Sequence, residues 1–209
     1  MRLEACHTLV DSNISEPNGL ALDWVHGLLY WADSRAGKLE VVNVSSPSSR
    51  RVLLSSDLAN PTSLALDPSE GLLFCVDYYR LQRMGQDGSG RRLLFRRSLY
   101  SLSPRPPGKT GTPMCKPRGH AVLHQRIYWT NSGCDWAVYV LSLKASGAQA
   151  EQLTAGGDFV GVKILSLATQ PPFPSKCAHG TCPDLCLPRP GQQTARQGRI
   201  RDYSCVPRD

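Results

Sequence analysis

Residues 17–34 read PNGLALDWVHGLLYWADS, and residues 61–78 read PTSLALDPSEGLLFCVDY, so one pattern occurs twice at an interval of 44 residues. A third, more diverged copy is PRGHAVLHQRIYWTNS at residues 117–132. A shorter piece recurs as RRVLLS at residues 50–55 and RRLLFR at residues 91–96. Matches in register at a fixed period identify a repeat protein, so the fold has to be built from this unit.

Each repeat unit consists of short apolar runs joined by tight polar turns. LAL (20–22) and LLYW (28–31) are typical of buried strands, and the glycine near the end of the turn between them suits a hairpin. KLEVVNV (38–44) and RRVLL (50–54) supply two further strands. Four strands in about 40–45 residues indicate a β-propeller blade. No segment has the period of an amphipathic helix, so the sequence predicts an all-β protein.

Three parts of the sequence carry a family resemblance. Three motifs resemble the YWTD repeat of the low-density lipoprotein receptor family: LLYWAD (28–33), LLFCVD (72–77) and IYWTNS (127–132). The tail CAHGTCPDLCLPRP...DYSC, residues 177–205, resembles the EGF-like module that follows such propellers. DFVGVKILSL, residues 158–167, resembles the strand that ends a YWTD domain. The resemblance is nearest to the co-receptor branch of the related receptors.

The resemblance implies a partial propeller of about three blades followed by a truncated EGF-like module. Propellers of this family have six blades, which at about 43 residues each need about 260 residues. We therefore interpret the sequence as a fragment, isoform or diverged copy of a larger receptor ectodomain, with open edges that allow self-association. The predicted segments are an outer-strand remnant of a preceding blade (1–17), YWTD blades (18–55 and 62–96), an irregular Pro-rich and basic insertion (97–116), a degenerate YWTD blade (117–154), a closing strand (158–170) and the truncated EGF-like module (177–209).

The motif residues are predicted to be structural and not catalytic. In the family, the Tyr–Trp pair packs between adjacent blades, and the Asp links blades by hydrogen bonds. Asn131 stands where the third Asp is expected, so it keeps a hydrogen-bonding side chain without the charge. The positions that match the motif here are Tyr30, Trp31, Asp33, Phe74, Asp77, Tyr128, Trp129 and Asn131.

Eight cysteines, four of them in the last 33 residues, favour an oxidising compartment. The resemblance implies two disulfides, Cys177–Cys186 and Cys182–Cys205. Cys75 replaces the Trp of the repeat, and a buried, unreactive thiol is expected there because a free cysteine behaves as a small hydrophobic residue. The sequence leaves open the pairing of Cys6, Cys75, Cys115 and Cys134.

Signals of cellular location point in two directions. Asn13 and Asn43 begin glycosylation sequons, which are used only in the secretory pathway. MRLEACHTLV (1–10) lacks the apolar core of a signal peptide, and no run approaches the about 20 apolar residues of a membrane span. As a piece of a longer parent, the sequence is expected to belong to an extracellular or plasma-membrane receptor ectodomain, with the signal and the anchor outside it. As a full-length product, it is expected to stay in the cytosol, reduced and poorly folded.

The net charge of +7 does not indicate nucleic-acid binding, because no aromatic–basic platform or zinc spacing accompanies it. The arginine pairs at 50–51 and 91–92 lie at strand ends, which predicts solvated charge. The basic segment 97–116 is either a docking loop for acidic ligands or sulfated glycans, or an insertion that a loop tolerates.

Candidate ligand contacts are Tyr78, which directly follows the second motif Asp, and Trp136, which follows the third motif. In the family, the residue after the motif Asp is often an aromatic residue on the ligand-binding face. His26, His120 and His124 are either ordinary surface or core residues or groups that take part in acid-triggered ligand release, which the family uses.

The predicted function is non-catalytic binding of an extracellular protein, by a fragment or isoform of a low-density lipoprotein receptor-related receptor. Its parent role would be ligand binding for endocytosis or co-receptor signalling of the Wnt type. A secreted matrix adhesion protein of the nidogen type, which binds laminin, is the alternative, and a six-bladed propeller hydrolase is a further one. No cofactor is predicted, and PPFPSK (171–176) lacks the acidic residues that open a calcium-binding EGF-like module.

Overall fold

The fold is built from β-strands throughout the described part of the chain. The computed structural model describes residues 7–78, 80–95, 116–123, 125–132, 137–143, 150–157, 162, 174–178, 182, 184–190 and 203–207. These residues contain 14 strands and no helix. None of them therefore forms a helix able to span a lipid bilayer. The predicted all-β fold class is confirmed.

The strands form three four-stranded antiparallel sheets and one hairpin. Sheet 1 contains β1 (Pro17–Asp23), β2 (Leu28–Asp33), β3 (Lys38–Asn43) and β4 (Ser46–Leu54) in that order. Sheet 2 contains β5 (Pro61–Asp67), β6 (Leu72–Asp77), β7 (Arg80–Gly85) and β8 (Arg92–Phe95). Sheet 3 contains β9 (Lys116–Leu123), β10 (Arg126–Ser132), β11 (Ala137–Ser142) and β12 (Glu151–Ala155). The hairpin pairs β13 (Leu185–Pro188) with β14 (Tyr203–Val206).

All three sheets use the same register between their first two strands. Leu20 lies opposite Trp31 in sheet 1, and Leu64 lies opposite Cys75 in sheet 2. In sheet 3, His120 lies opposite Trp129 and so takes the position of these two leucines. Because side chains alternate between the faces of a strand, this register puts equivalent residues of every repeat on the same face.

The sheets pack face to face in chain order. We call the face that a sheet turns toward the next sheet its front face, and the other its back face. The front of sheet 1 presents Tyr30, Leu39 and Val41, and the back of sheet 2 presents Leu64 and Met84 in the same core cluster. A second cluster joins the front of sheet 2 to the back of sheet 3.

The first strands of the sheets form the inner edge of the stack, because β1 neighbours β5 and β5 neighbours β9. The approach of β1 to β5 is close enough to require a glycine. A Cβ added to Gly19 would lie 2.9 Å from the Cα of Ser63. Four-stranded sheets whose first strands lie side by side at the inner edge match the predicted propeller architecture.

The division of the chain into segments stays a prediction. The three sheets occupy residues 17–54, 61–95 and 116–155, and residues 7–16 form no strand. The insertion at 97–116 and the closing strand at 158–170 lie almost wholly outside the described residues.

Candidate ligand-binding face

The loops of the sheets gather at two ends, which differ in what covers them. β2 and β6 end at Asp33 and Asp77, and we call this end of the stack the aspartate end. The β1–β2 and β5–β6 turns, residues 24–27 and 68–71, lie at the opposite end, which we call the hairpin end.

At the aspartate end, each motif carboxylate binds the backbone of the segment that enters its own sheet. Asp33 accepts hydrogen bonds from the backbone N–H groups of Ser15 (2.7 Å) and Glu16 (3.0 Å). Asp77 accepts equivalent bonds from Ala59 (2.8 Å) and Asn60 (2.7 Å). Both carboxylates are fully buried. Such charge-assisted bonds fix the entry of the chain into each sheet.

The electrostatics at Asp33 keep its carboxylate ionised. Burial alone would raise the pKa of Asp33, but hydrogen bonds from the backbone of Ser15, Ala36 and Glu16 and the charge of Lys38 lower it below its ordinary value. The aspartate therefore serves as an anion that organises backbone donors, which is a structural role.

Two arginines complete these attachments. Arg50 donates to the backbone carbonyls of Ser12 (2.5 Å) and Asn13 (3.0 Å). Its guanidinium also forms an ion pair with Glu40 at 2.9 Å. The prediction that this arginine is a solvated charge is wrong, because its guanidinium binds the carbonyl groups of a linker that lies 37 and 38 positions earlier in the sequence.

Arg91 repeats the arrangement in sheet 2. It donates to the backbone carbonyls of Ser56 (3.2 Å) and Asp57 (2.7 Å) and to the side chain of Gln82. Asp57 and its repeat equivalent Asn13 both have a positive φ, 55° and 53°. The prediction of a solvated charge is wrong here as well. The signal that could have shown this is the Asn or Asp that the linker before each sheet carries at an equivalent repeat position, 37 residues before Arg50 and 34 residues before Arg91.

The aromatic motif residues lie within and between the sheets. Tyr30 is fully buried on the front of sheet 1, and its burial, with the negative charges of Asp23 and Asp87, raises the pKa of its hydroxyl. Trp31 lies on the back face, donates through Nε1 to Glu40 (3.1 Å) and has the Arg50 guanidinium 5.3 Å from its ring centroid. Trp31 is therefore held by polar contacts within its own sheet.

The equivalent positions of the other sheets are filled differently. Phe74 is buried on the front of sheet 2, and Cys75, in place of the Trp, is a buried free thiol whose pKa is raised by burial. In sheet 3, Trp129 is fully buried and stacks on Tyr139 with 5.6 Å between ring centroids, while Tyr128 is half-buried. The side chains of Asn131 and Trp136, and residues Cys6, Cys115, Cys134 and His124, lie outside the description.

Tyr78 projects from the aspartate end. Its φ is 53°, in the left-handed region, and its backbone N–H donates to the carbonyl of Asn60 (2.9 Å). The residue is 51% exposed. The repeat equivalent in sheet 1, Ser34, is buried and donates its hydroxyl to the carbonyl of Pro61 (2.6 Å). The residue after the motif Asp is thus a buried serine that binds β5 in sheet 1, and an exposed tyrosine in sheet 2.

The Cys-rich hairpin packs onto the core of the first two sheets. Leu185 and Leu187 belong to the core cluster shared by sheets 1 and 2, and Val206 packs against it. Among the described residues, disulfides link Cys177 to Cys186 and Cys182 to Cys205, and these are the pairs that the resemblance implies. The arrangement is consistent with an EGF-like module.

Polar contacts join this hairpin to the turns of sheets 1 and 2. The backbone N–H of Lys176 donates to Nε2 of His26 (3.1 Å), and the opposite ring nitrogen lies 2.7 Å from Asp23. Since Nε2 accepts, Nδ1 carries the proton and donates to the aspartate. Ser204 donates to Asp87 (2.5 Å) in the β7–β8 turn. The hairpin therefore covers one end of the stack, which leaves Tyr78 at the other.

The remaining candidate residues have different environments. Asn13 is exposed and lies at the aspartate end, two residues before the first N–H bound by Asp33. Asn43 is half-buried at the end of β3, and its side chain accepts from the backbone N–H of Ser45 (2.9 Å). His120 is buried between sheets 2 and 3. No group of three or more His, Cys, Asp and Glu side chains with metal-binding geometry occurs among the residues described.

The comparison with known families agrees with this architecture. Residues 27–68 match the low-density lipoprotein receptor repeat class B. This part of the chain therefore resembles a low-density lipoprotein receptor class B repeat. The matched range runs from the β1–β2 turn through β5, so it includes the YWTD-type motif of sheet 1 and its packing onto sheet 2. The predicted family resemblance is confirmed.

The chain is also similar to parts of two receptors. The chain is 28% identical over 181 residues to the vitellogenin receptor Yl of Drosophila melanogaster, covering 86% of this chain and 6% of the receptor. It is 45% identical over 49 residues to low-density lipoprotein receptor-related protein 5 of Mus musculus, covering 23% of this chain and 3% of that protein. The chain thus spans only a small part of these relatives.

A solved structure shares the fold. A chain of the nidogen/laminin complex aligns with a TM-score of 0.51 at 22% identity, covering 66% of this chain and 48% of that chain. The likeness supports the YWTD propeller architecture of the fold.

Proposed function

We propose that this chain is a non-catalytic protein-binding module of an extracellular receptor, and that it binds its ligand at the aspartate end. The observation that carries the proposal is the contrast between the two ends of the stack. The hairpin covers one end through Leu185 and Leu187, whereas the other end exposes Tyr78.

The setting of Tyr78 suits a binding residue. Exposed tyrosines on loops supply a large contact area and a hydrogen-bonding hydroxyl, and they are enriched among residues that dominate interfaces. The loop carrying Tyr78 is held by Asp77 and by the backbone bond to Asn60. A side chain on a loop that is already ordered loses less entropy on binding. Trp136 is proposed as a second contact from its place after the third motif.

The proposed parent is a receptor of the low-density lipoprotein receptor-related kind, with its ligand-binding part outside the cell. Its role would be ligand uptake by endocytosis or co-receptor signalling of the Wnt type. The support comes from the relatives, which are a vitellogenin receptor and a low-density lipoprotein receptor-related protein. A matrix adhesion protein of the nidogen type is the second candidate, because the shared fold also occurs in the nidogen/laminin complex.

One experiment separates these candidates. Residues 1–209, secreted behind a foreign signal peptide and immobilised, are probed with vitellogenin, a Wnt protein and laminin. We expect capture of a receptor ligand, and we expect Tyr78→Ala to weaken it about tenfold or more while leaving secretion unchanged. Leu93→Ala, an exposed apolar residue on the outer strand β8, is the matched control and should have no effect. Equal capture by Tyr78→Ala and the parent chain would remove Tyr78 from the site, and capture of laminin alone would favour the adhesion protein.

We also propose N-linked glycans at Asn13 and Asn43. Asn13 is exposed beside the proposed ligand face, so a glycan there would restrict how large a ligand can approach. The side chain of Asn43 accepts a hydrogen bond from the backbone of Ser45 within the sequon. Asn43 is also half-buried, so it is only partly accessible from solvent. The mass of the secreted protein before and after enzymatic deglycosylation, with Asn13→Gln and Asn43→Gln as separate variants, tests each site.

A further inference from the structure

Sheet 2 places two arginines directly opposite each other on its front face. Arg83 of β7 lies opposite Arg92 of β8 on one side and opposite the buried Phe74 of β6 on the other. Arg83 is half-buried and Arg92 is exposed. No hydrogen bond or ion pair links either guanidinium to the part of the chain that the structure describes. Like charges at directly opposed positions destabilise an antiparallel pair of strands, so this pair calls for an explanation outside the sheet.

Arg83 replaces an apolar residue of the repeat. Val41 and Val140 hold the equivalent positions of sheets 1 and 3, because each lies opposite the first aromatic residue of its motif. Val41 is 0% exposed and Val140 is 6% exposed. Placing a charged side chain at a partly buried position without a partner is unfavourable. The packing of sheet 2 therefore does not account for this arginine.

The two arginines belong to the space between the front of sheet 2 and the back of sheet 3, which we call the second groove. The equivalent space between sheets 1 and 2 is the first groove. Leu94 of β8 and Leu143, directly after β11, are partly buried apolar residues that pack against the core of the second groove. The second groove thus combines apolar walls with a pair of positive charges.

The two grooves differ in what covers them at the hairpin end. In the first groove, Gln86 is 0% exposed, and a Cβ added to its neighbour Gly85 would lie 3.0 Å from Pro190 of the Cys-rich hairpin. Leu143 is the equivalent of Gln86, because the backbone N–H of each donates to the turn between the first two strands of its sheet. Leu143 is half-buried. The second groove is therefore more open than the first at this end.

The first groove shows which kind of partner such an arginine binds. Arg51 of β4 is the equivalent of Arg92, since it lies opposite Val41. Its Nε and Nη2 donate to the backbone carbonyl of Pro207, directly after β14, at 3.2 and 2.9 Å. An arginine at this position thus holds a peptide segment that packs against the groove. A segment in the second groove would meet two such arginines.

We propose that the second groove binds an acidic peptide segment of another protein, with a carboxylate of that segment bridging Arg83 and Arg92. Guanidinium groups donate paired N–H groups to carboxylates, and such charge-assisted bonds are stronger than neutral ones. Leu94 and Leu143 would contact the apolar atoms of the same segment. A sulfated glycan offers similar charge, but it is recognised by longer runs of basic residues than the pair described here. The site lies away from the aspartate end, so it does not depend on the ligand face at Tyr78.

The test is a titration of residues 1–209, secreted behind a foreign signal peptide, with a fluorescein-labelled peptide of alternating glutamate and alanine. Fluorescence anisotropy measures the binding. We expect saturable binding, and we expect Arg83→Gln and Arg92→Gln each to raise the dissociation constant about tenfold or more, because each removes a charge-assisted contact. Arg80→Gln is the matched control: it removes the same charge from an exposed residue of β7 and should bind like the parent chain.

Arg83→Val gives a second readout, because it restores the valine of the other two sheets. It should abolish peptide binding and raise the urea midpoint of unfolding, since the repulsion between the arginines is removed. A lower midpoint would give Arg83 a structural role and overturn the proposal.

Three binding results would also overturn the proposal. The first is a parent chain that does not bind the peptide, or that binds a glutamine–alanine peptide equally well. The second is equal binding by the Arg83→Gln and Arg80→Gln variants. The third is binding of a heparin fragment alone, lost in Arg83→Gln, which would assign the second groove to a sulfated glycan.

Discussion

At the residue scale, Arg91 and Arg92 show how neighbouring residues of the same type can differ in role. Arg91 is half-buried and donates to the backbone carbonyls of Ser56 and Asp57, whereas Arg92 is exposed. Hydrogen bonds from a charged group contribute about 1.5–3 kcal/mol, while a surface substitution usually changes the free energy of unfolding by less than about 0.5 kcal/mol. The two residues therefore form a matched pair for substitution.

We predict that Arg91→Met lowers the free energy of unfolding by about 1.5–3 kcal/mol, because two backbone carbonyls of the linker lose their donor. Arg92→Met should stay within about 0.5 kcal/mol of the parent chain. Urea unfolding followed by tryptophan fluorescence measures both. Similar destabilisation by the two variants would show that the linker contact contributes little.

At the scale of elements, the hairpin and sheet 2 meet at Gly71. Its φ is +69°, and a Cβ there would lie 2.7 Å from the backbone carbonyl of Arg189. Gly27 is the equivalent residue of sheet 1, with a φ of +65°, but its nearest neighbour would be Val44 at 3.9 Å. The two glycines thus share a backbone conformation and differ in whether the hairpin lies against them.

We predict that Gly71→Ala displaces the Cys-rich hairpin, while Gly27→Ala does not. Both substitutions should cost about 1–2 kcal/mol for an alanine in the left-handed region, and Gly71→Ala adds the steric conflict with Arg189. Limited proteolysis followed by mass spectrometry should detect faster cleavage within residues 177–209 in Gly71→Ala alone. Equal cleavage in the two variants would indicate that the hairpin does not rest on this turn.

At the scale of the whole molecule, His120 connects stability to pH. It lies between sheets 2 and 3, within hydrogen-bond distance of the Ser63 hydroxyl. Burial lowers the pKa of His120 to about 4, although a hydrogen bond to the Phe74 backbone opposes the shift. The unfolded chain takes up this proton near the ordinary pKa of about 6.5. The contribution of His120 is therefore fully present above about pH 6.5 and is lost as the pH falls toward 4.

We predict that protonation of His120 lowers the free energy of unfolding by about 3 kcal/mol as the pH falls from 6.5 to 4. His120→Leu restores the residue found at the equivalent positions 20 and 64, so it should fold and should show a smaller loss over the same pH range. Because the carboxylates titrate in both proteins, the difference between their two pH profiles of the free energy of unfolding gives the contribution of His120 alone. Parallel pH profiles would contradict the prediction.

The fold class and the family resemblance could be predicted because they depend on local patterns that the repeat displays several times. Short apolar runs such as residues 20–22, and turns ending in Gly27 or Gly71, specify strands and hairpins through short-range sterics. The disulfide pairs followed from the resemblance of the cysteine pattern to a known module. Each of these signals is contained in fewer than about 45 consecutive residues.

Tertiary structure alone decided the roles of residues whose partners are distant in sequence. The sequence predicts a surface charge at Arg50, because its partners Ser12 and Asn13 lie 38 and 37 positions away in the chain. The exposure of Leu20 and the burial of Leu64 also differ although their local sequences agree, because only the second has a sheet packed on its back face. Strand formation depends on near neighbours, whereas burial and hydrogen-bond partners depend on which surfaces meet.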